Sequence, residues 1–186
     1  GDRITANLPL PDESEWDRLD VMFATTRGTV RRNKLSDFAD VKRNGKIAMK
    51  FDEEGDAILA VETCTENDDV LLTADSGLCV RFPVSDVRVF QSRGSQGVRG
   101  IKLEDGDTAI SMTILEHVDA EPWERAAFLK RATAERRVAS AEGAEEDIAL
   151  TNEEVGDGGD LSDERYEYLK AHEQFVLTVT EQGYGK

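Results

Sequence analysis

Cations interleaved with glycine are the part of this sequence most open to chemistry. One stretch reads Gln91-Ser92-Arg93-Gly94-Ser95-Gln96-Gly97-Val98-Arg99-Gly100-Ile101-Lys102. Arg93, Arg99 and Lys102 supply the charge. Gly94, Gly97 and Gly100 leave backbone N–H groups able to approach a phosphate. The competing reading is a connecting loop with solvated charges. Two more clusters lie upstream: Arg27, Arg31, Arg32 and Lys34, then Lys42, Arg43 and Lys46. At the matching place in the second half stand only Arg81 and Arg88. Cations grouped outside the apolar runs suit a rim that tracks a phosphate backbone without reading bases. Other chemistry has little support. Cys64, Cys79, His117 and His172 do not fall at zinc-ligand spacings, so no metal site is expected. Asp52-Glu53-Glu54 and Glu104-Asp105 flank Gly55 and Gly106 and read as turn residues. No P-loop, HExxH or calcium-loop pattern occurs. The expectation is a chain without catalytic residues.

The elements that would carry these cations repeat along the chain. Residues 20–28 and 69–77 are similar apolar runs, each ending in glycine, and Gly28 and Gly77 are 49 residues apart. Leu35-Ser36-Asp37-Phe38 matches Val84-Ser85-Asp86-Val87 at the same offset. Gly45 to Phe51 matches Gly97 to Leu103, and Glu54-Gly55-Asp56 matches Asp105-Gly106-Asp107. Residues 175–183 begin the pattern again. Val21 to Thr26 is rich in β-branched and aromatic residues, and Arg27-Gly28 and Ser76-Gly77 supply tight turns. Ile47, Met49 and Phe51 alternate as one face of a strand. Phe23, Met49, Phe51, Leu72, Phe82 and Ile101 are expected in the core. Cys64 and Cys79 are read as buried small hydrophobes. The reading is mainly β: about four short antiparallel strands per repeat, in propeller-like blades. One blade cannot bury both faces alone, so a longer array is expected.

The chain has 186 residues and a formal net charge of −16. Such a field opposes duplex DNA if it is spread evenly, but it is not. Residues 119–173 hold 16 acidic and 7 basic residues, whereas the repeats at 21–118 hold 16 and 13. The divisions expected are 1–19, a linker or the end of a preceding blade; 20–68 and 69–118, two blade repeats; 119–173, an acidic helical insertion; and 174–186, the start of another blade. Within the insertion, Pro122 to Glu142 suits a helix, and Ser162 suits the cap of a second, Asp163 to His172. His117 and His172 mark the insertion's edges. No membrane span or signal peptide is read from the sequence, and a cytoplasmic setting is expected.

The repeats resemble the C-terminal domain of the DNA gyrase A subunit, in its alphaproteobacterial form with an insertion. The residues that carry this are Val21 to Gly28, Arg43 to Ala48, Gly97 to Leu103 and Leu177 to Lys186. The resemblance implies a β-pinwheel, a six-bladed ring whose basic rim wraps double-stranded DNA. It implies a longer parent chain that forms an A-subunit homodimer with gyrase B subunits, is nucleoid-associated, and uses ATP and Mg for negative supercoiling. No cofactor is implied for this fragment, and the catalytic tyrosine belongs to a separate upstream domain. The family's signature heptad, Gln-(Arg/Lys)-Arg-Gly-Gly-(Arg/Lys)-Gly, is degenerate here. Gln91, Arg93, Gly94 and Gly97 match, while Ser92, Ser95 and Gln96 do not. The related domain of the topoisomerase IV A subunit is the nearest alternative, and an acidic protein-interaction module is the alternative of another class.

Overall fold

The computed structural model describes residues 6–39, 47–51, 54–92, 94–139, 160–179 and 182–185. The chain divides into two units, residues 1–117 and 118–186.

The first unit is antiparallel β. Its strands are β1 (Asp20–Thr25), β2 (Thr29–Lys34), β3 (Ile58–Cys64), β4 (Asp68–Ala74), β5 (Cys79–Pro83), β6 (Val98–Arg99) and β7 (Ala109–Glu116). They form a sheet ordered β3-β1-β2-β6 and a second ordered β5-β4-β7. The repeats are built alike. Gly28 and Gly77 turn their hairpins at φ of 80° and 87°. That left-handed region favours glycine. The ladders β1–β3 and β4–β7 slip register at the equivalent places, Ala24/Thr25 and Thr73/Ala74. Asp56 accepts from the Arg27 N–H at 3.0 Å, and Asp107 accepts from the Ser76 N–H at 3.1 Å. Each carboxylate thus pins the turn of its own repeat.

The strand count per repeat differs from expectation. Residues 47–51 form no strand: Met49 is buried, but Ile47 and Phe51 are 70% and 42% exposed. The fourth strand of the first sheet is β6, from the second repeat, where Thr29 pairs with Arg99 and Val30 with Val98. Alternation along β1 explains its complete burial. Met22 and Ala24 enter a core shared with Val30, Val70, Leu72, Val84, Val87, Ile101 and Met112. Val21 and Phe23 pack the other face, with Leu35 and Met49. Full burial of such a side chain is worth about 1.5–3 kcal/mol.

The second unit holds α1 (Pro122–Ala139) and α2 (Asp163–Ala171). The Ser162 side chain caps α2 by accepting from the Arg165 N–H at 3.2 Å. Phe128, Ala132, Tyr166 and Leu169 form a small buried core. Ion pairs ring it: Arg165–Glu124 at 2.8 Å, Arg131–Asp163 at 2.7 Å and Lys170–Glu135 at 2.9 Å. The insertion's acidity is segregated, because residues 140–160 contain eight acids and no base, while α1 itself has five bases against two acids.

Candidate nucleic-acid interface

Two of the expected rim cations are interior. Arg31 is 0% exposed and Arg32 is 5% exposed. Arg32 donates from Nε to Asp20 at 2.6 Å, and from its guanidinium to the Val84 and Val87 carbonyls at 3.3 Å. Those carbonyls belong to the second repeat, so Arg32 joins one repeat to the next. Asn33 does likewise, donating to the Phe90 carbonyl at 2.6 Å. Arg31 donates to the Ser95 carbonyl at 2.7 Å and to the Ala48 carbonyl, and lies over the Phe23 ring. Burial lowers its pKa to about 10. The expectation that Arg31 and Arg32 face phosphate is corrected. β2 is flanked by strands on both sides and covered by the next repeat, so these guanidiniums serve backbone carbonyls and a carboxylate instead.

The glycine reading is corrected too. The Gly94 N–H donates to Ser92 Oγ at 3.1 Å, and the Gly100 N–H to the Gly28 carbonyl at 2.9 Å. A Cβ on Gly97 would lie 2.5 Å from the Val30 carbonyl oxygen, and one on Gly100 would lie 2.8 Å from Leu72 and Val30 side-chain carbons. Gly97 and Gly100 let the second repeat's loop lie flat on β2, and the Gly94 and Gly100 N–H groups are already engaged.

The remaining cations fall into distinct settings. Arg27, in the β1–β2 turn, Arg99, in β6, and Lys102, just after it, are exposed. Gly100 and Ile101 both donate their N–H groups to the Gly28 carbonyl, at 2.9 and 3.2 Å. The chain positions next to Arg27, Arg99 and Lys102 therefore meet at one turn. Gly28 is required there, since a Cβ would lie 2.6 Å from the Ile101 side chain. Lys34 is half-exposed and pairs with Asp20 at 2.8 Å. Arg81 is half-exposed and pairs with Asp69 at 2.7 Å. The same carboxylate bonds His117 Nδ1 at 2.8 Å, so this histidine belongs to the second sheet's ion cluster. Arg88 is exposed and stacks on Phe90 at 4.0 Å. Gln91 is exposed. Lys42, Arg43, Lys46 and Arg93 lie outside the described residues. Lys50 is an exposed cation that the strand reading passed over. Its signal was its polar position between Met49 and Phe51.

Among the described residues, no group of three or more His, Cys, Asp or Glu side chains is placed to hold a metal ion. Cys64 is buried, but Cys79 is exposed, which corrects its expected burial. No described helix is long and apolar enough to cross a membrane.

The family described as "DNA gyrase C-terminal domain, beta-propeller" matches residues 19–65 and 68–116. The A subunit of DNA gyrase from Granulibacter bethesdensis is 50% identical over all of this chain, which spans 20% of that protein's length. A solved DNA gyrase A C-terminal domain is 27% identical, with a TM-score of 0.48, over 53% of this chain and 32% of that one. A solved C-terminal domain of DNA topoisomerase IV is 20% identical, with a TM-score of 0.49, over 59% and 37%. The 50% identity to a gyrase A subunit over the whole chain favours the gyrase side of the two alternatives. With two matched repeats folded as successive antiparallel sheets, this chain belongs to the DNA gyrase C-terminal domain, beta-propeller family.

Proposed function

We propose that this chain is a DNA-binding module of the gyrase A protein, holding duplex DNA by its phosphates. The observation that carries this reading is the meeting of Arg27, Arg99 and Lys102 at the Gly28 turn. Three exposed cations from two repeats thus stand at chain positions that adjoin one hairpin turn. Lys34 and Arg81 contribute more weakly, because each already shares a carboxylate. Lys42, Arg43, Lys46 and Arg93 stay candidates for the same role on sequence grounds alone. Such contacts attract DNA without selecting sequence.

In the parent protein, the wrapped DNA would support ATP- and Mg-dependent negative supercoiling in the bacterial cytoplasm, within an assembly of paired gyrase A and gyrase B chains. This chain's part is binding and path-setting. Its residues neither contact nucleotide nor cleave DNA in this reading.

A fluorescence-anisotropy titration of a mixed-sequence duplex at several salt concentrations tests it. Each phosphate contact contributes about 0.9 to the log–log salt slope. Replacing Arg27, Arg99 and Lys102 together by Ala is expected to lower the slope by roughly 2–3. An unchanged slope in a folded triple variant would overturn the assignment.

A further inference from the structure

We propose that Lys50 is a further phosphate contact, and that the buried Arg31 guanidinium is a positioning residue that holds its loop against the Gln91–Gly97 loop of the following repeat. This rests on the DNA-binding reading above.

The geometry begins in β2. Arg31 extends from the middle of that strand and donates to two carbonyls, Ala48 in its own repeat and Ser95 in the next. One rigid, planar cation thus ties two loops distant in sequence. Phe23 lies under it, with the guanidinium carbon 5.0 Å from the ring centroid. Its burial means the two carbonyls replace water, so freeing either loop would leave a desolvated charge.

The held loop then aims its neighbours. Ala48 is fixed by Arg31, and Met49 is anchored in the core with Val21, Phe23 and Leu35. The next residue, Lys50, is turned out to solvent. Its Cε lies 3.7 Å from where a Cβ would sit on Gly94. Gly94 has no side chain to occupy that space, and the surrounding Ser92, Ser95 and Gln96 are uncharged. Lys50 therefore delivers a first-repeat ammonium across the repeat boundary to a second-repeat loop that also carries Arg93. On a loop fixed at two points, meeting a phosphate costs the lysine its side-chain rotamer freedom but little further backbone entropy.

The test is the same salt titration on the intact chain, Lys50→Ala, Arg31→Met, Gly94→Leu and the corresponding doubles with Lys50→Ala. Lys50→Ala is expected to lower the slope by about 0.9. Arg31→Met should lower it by a similar amount with Lys50 still present, and Lys50→Ala should then add nothing. Gly94→Leu fills the space beside Lys50 without touching the core, so it keeps the test open if Arg31→Met does not fold. It too should remove the Lys50 contribution. If the intact chain binds with a steep slope and Lys50→Ala leaves it unchanged, the contact is refuted while the DNA reading stands. If Lys50→Ala and a folded Arg31→Met are additive, the positioning role is refuted. An intact chain that shows no salt-dependent binding would overturn the DNA reading, and this inference with it.

Discussion

Arg32 donates its Nε–H to Asp20 at 2.6 Å, and 49 residues later Arg81 donates its own to Asp69 at 2.7 Å. The same clasp is built twice, once in each sheet, but in different surroundings. The Asp20–Arg32 pair is almost wholly buried and also bonds carbonyls of the next repeat, whereas the Arg81 side chain is about half exposed. Breaking a buried pair leaves an uncompensated charge, at a cost of about 3–5 kcal/mol. Arg32→Met is therefore expected to destabilise the chain by up to about 3 kcal/mol, less than the full figure because Lys34 still pairs with Asp20 at 2.8 Å. Arg81→Met should cost much less, because the Arg81 charge is already screened by water and His117 still bonds the Asp69 carboxylate. Urea unfolding of the two variants measures the difference.

Glycine substitutions should separate crowding from backbone strain. Gly28 and Gly77 share a left-handed conformation, but only a Cβ on Gly28 meets neighbours, while Gly77 has open space. Gly77→Ala is expected to cost about 1–2 kcal/mol from the backbone alone. Gly28→Ala adds overpacking against Ile101, for a total of about 2–5 kcal/mol. Thermal unfolding of both variants compares them.

Much of the fold could be read from the sequence because its signals are local. The 49-residue offset places Asp20 on Asp69 and Gly28 on Gly77, and the structure gives each pair one role. Ser162 before two acids reads as a helix cap, and it is one. What could not be read depends on residues far apart in sequence. β2 reads Thr29-Val30-Arg31-Arg32-Asn33-Lys34, as polar as an exposed rim. Its burial comes from the loops at Ala48 and Ser95 and the turn at Val84–Val87, most of them over 50 residues away. A two-residue strand such as β6 carries no periodicity, so its exchange into the first sheet leaves no sequence signal. Met49 sinks and Ile47 stays out where Arg31 bonds the Ala48 carbonyl between them, in place of a strand ladder that would enforce alternation.

Acid should loosen the helical unit. A hydrogen bond from Arg165 holds the Glu124 carboxyl below the ordinary glutamate range, and Lys170 does the same for Glu135. A carboxylate lowered in the folded state contributes stability that is present above its unfolded value, about 4.3. That contribution is lost as pH falls through the folded value. Helical circular dichroism is expected to persist at neutral pH and decline in that acid window. Glu124→Gln should remove part of the pH dependence. A helix signal that is flat across the window would count against these ion pairs.

Thiol chemistry should distinguish the two cysteines. Burial, with the Asp20 charge adding to it, pushes the Cys64 thiol up to about 12. Cys79 is exposed. The thiolate is the reactive form. In the native chain a maleimide is expected to label Cys79 alone, and in denaturant to label both. Mass spectrometry of the peptides reads the sites.

The central claim is that duplex DNA lies against the Gly28 turn of the first unit. Acetylation footprinting of lysines in the free chain and in the DNA-saturated complex tests it most directly. The account predicts that DNA protects Lys102, while Lys170, already paired with Glu135 in the helical unit, reacts equally in both states. A Lys102 that is acetylated as fast in the saturated complex as in the free chain would contradict it.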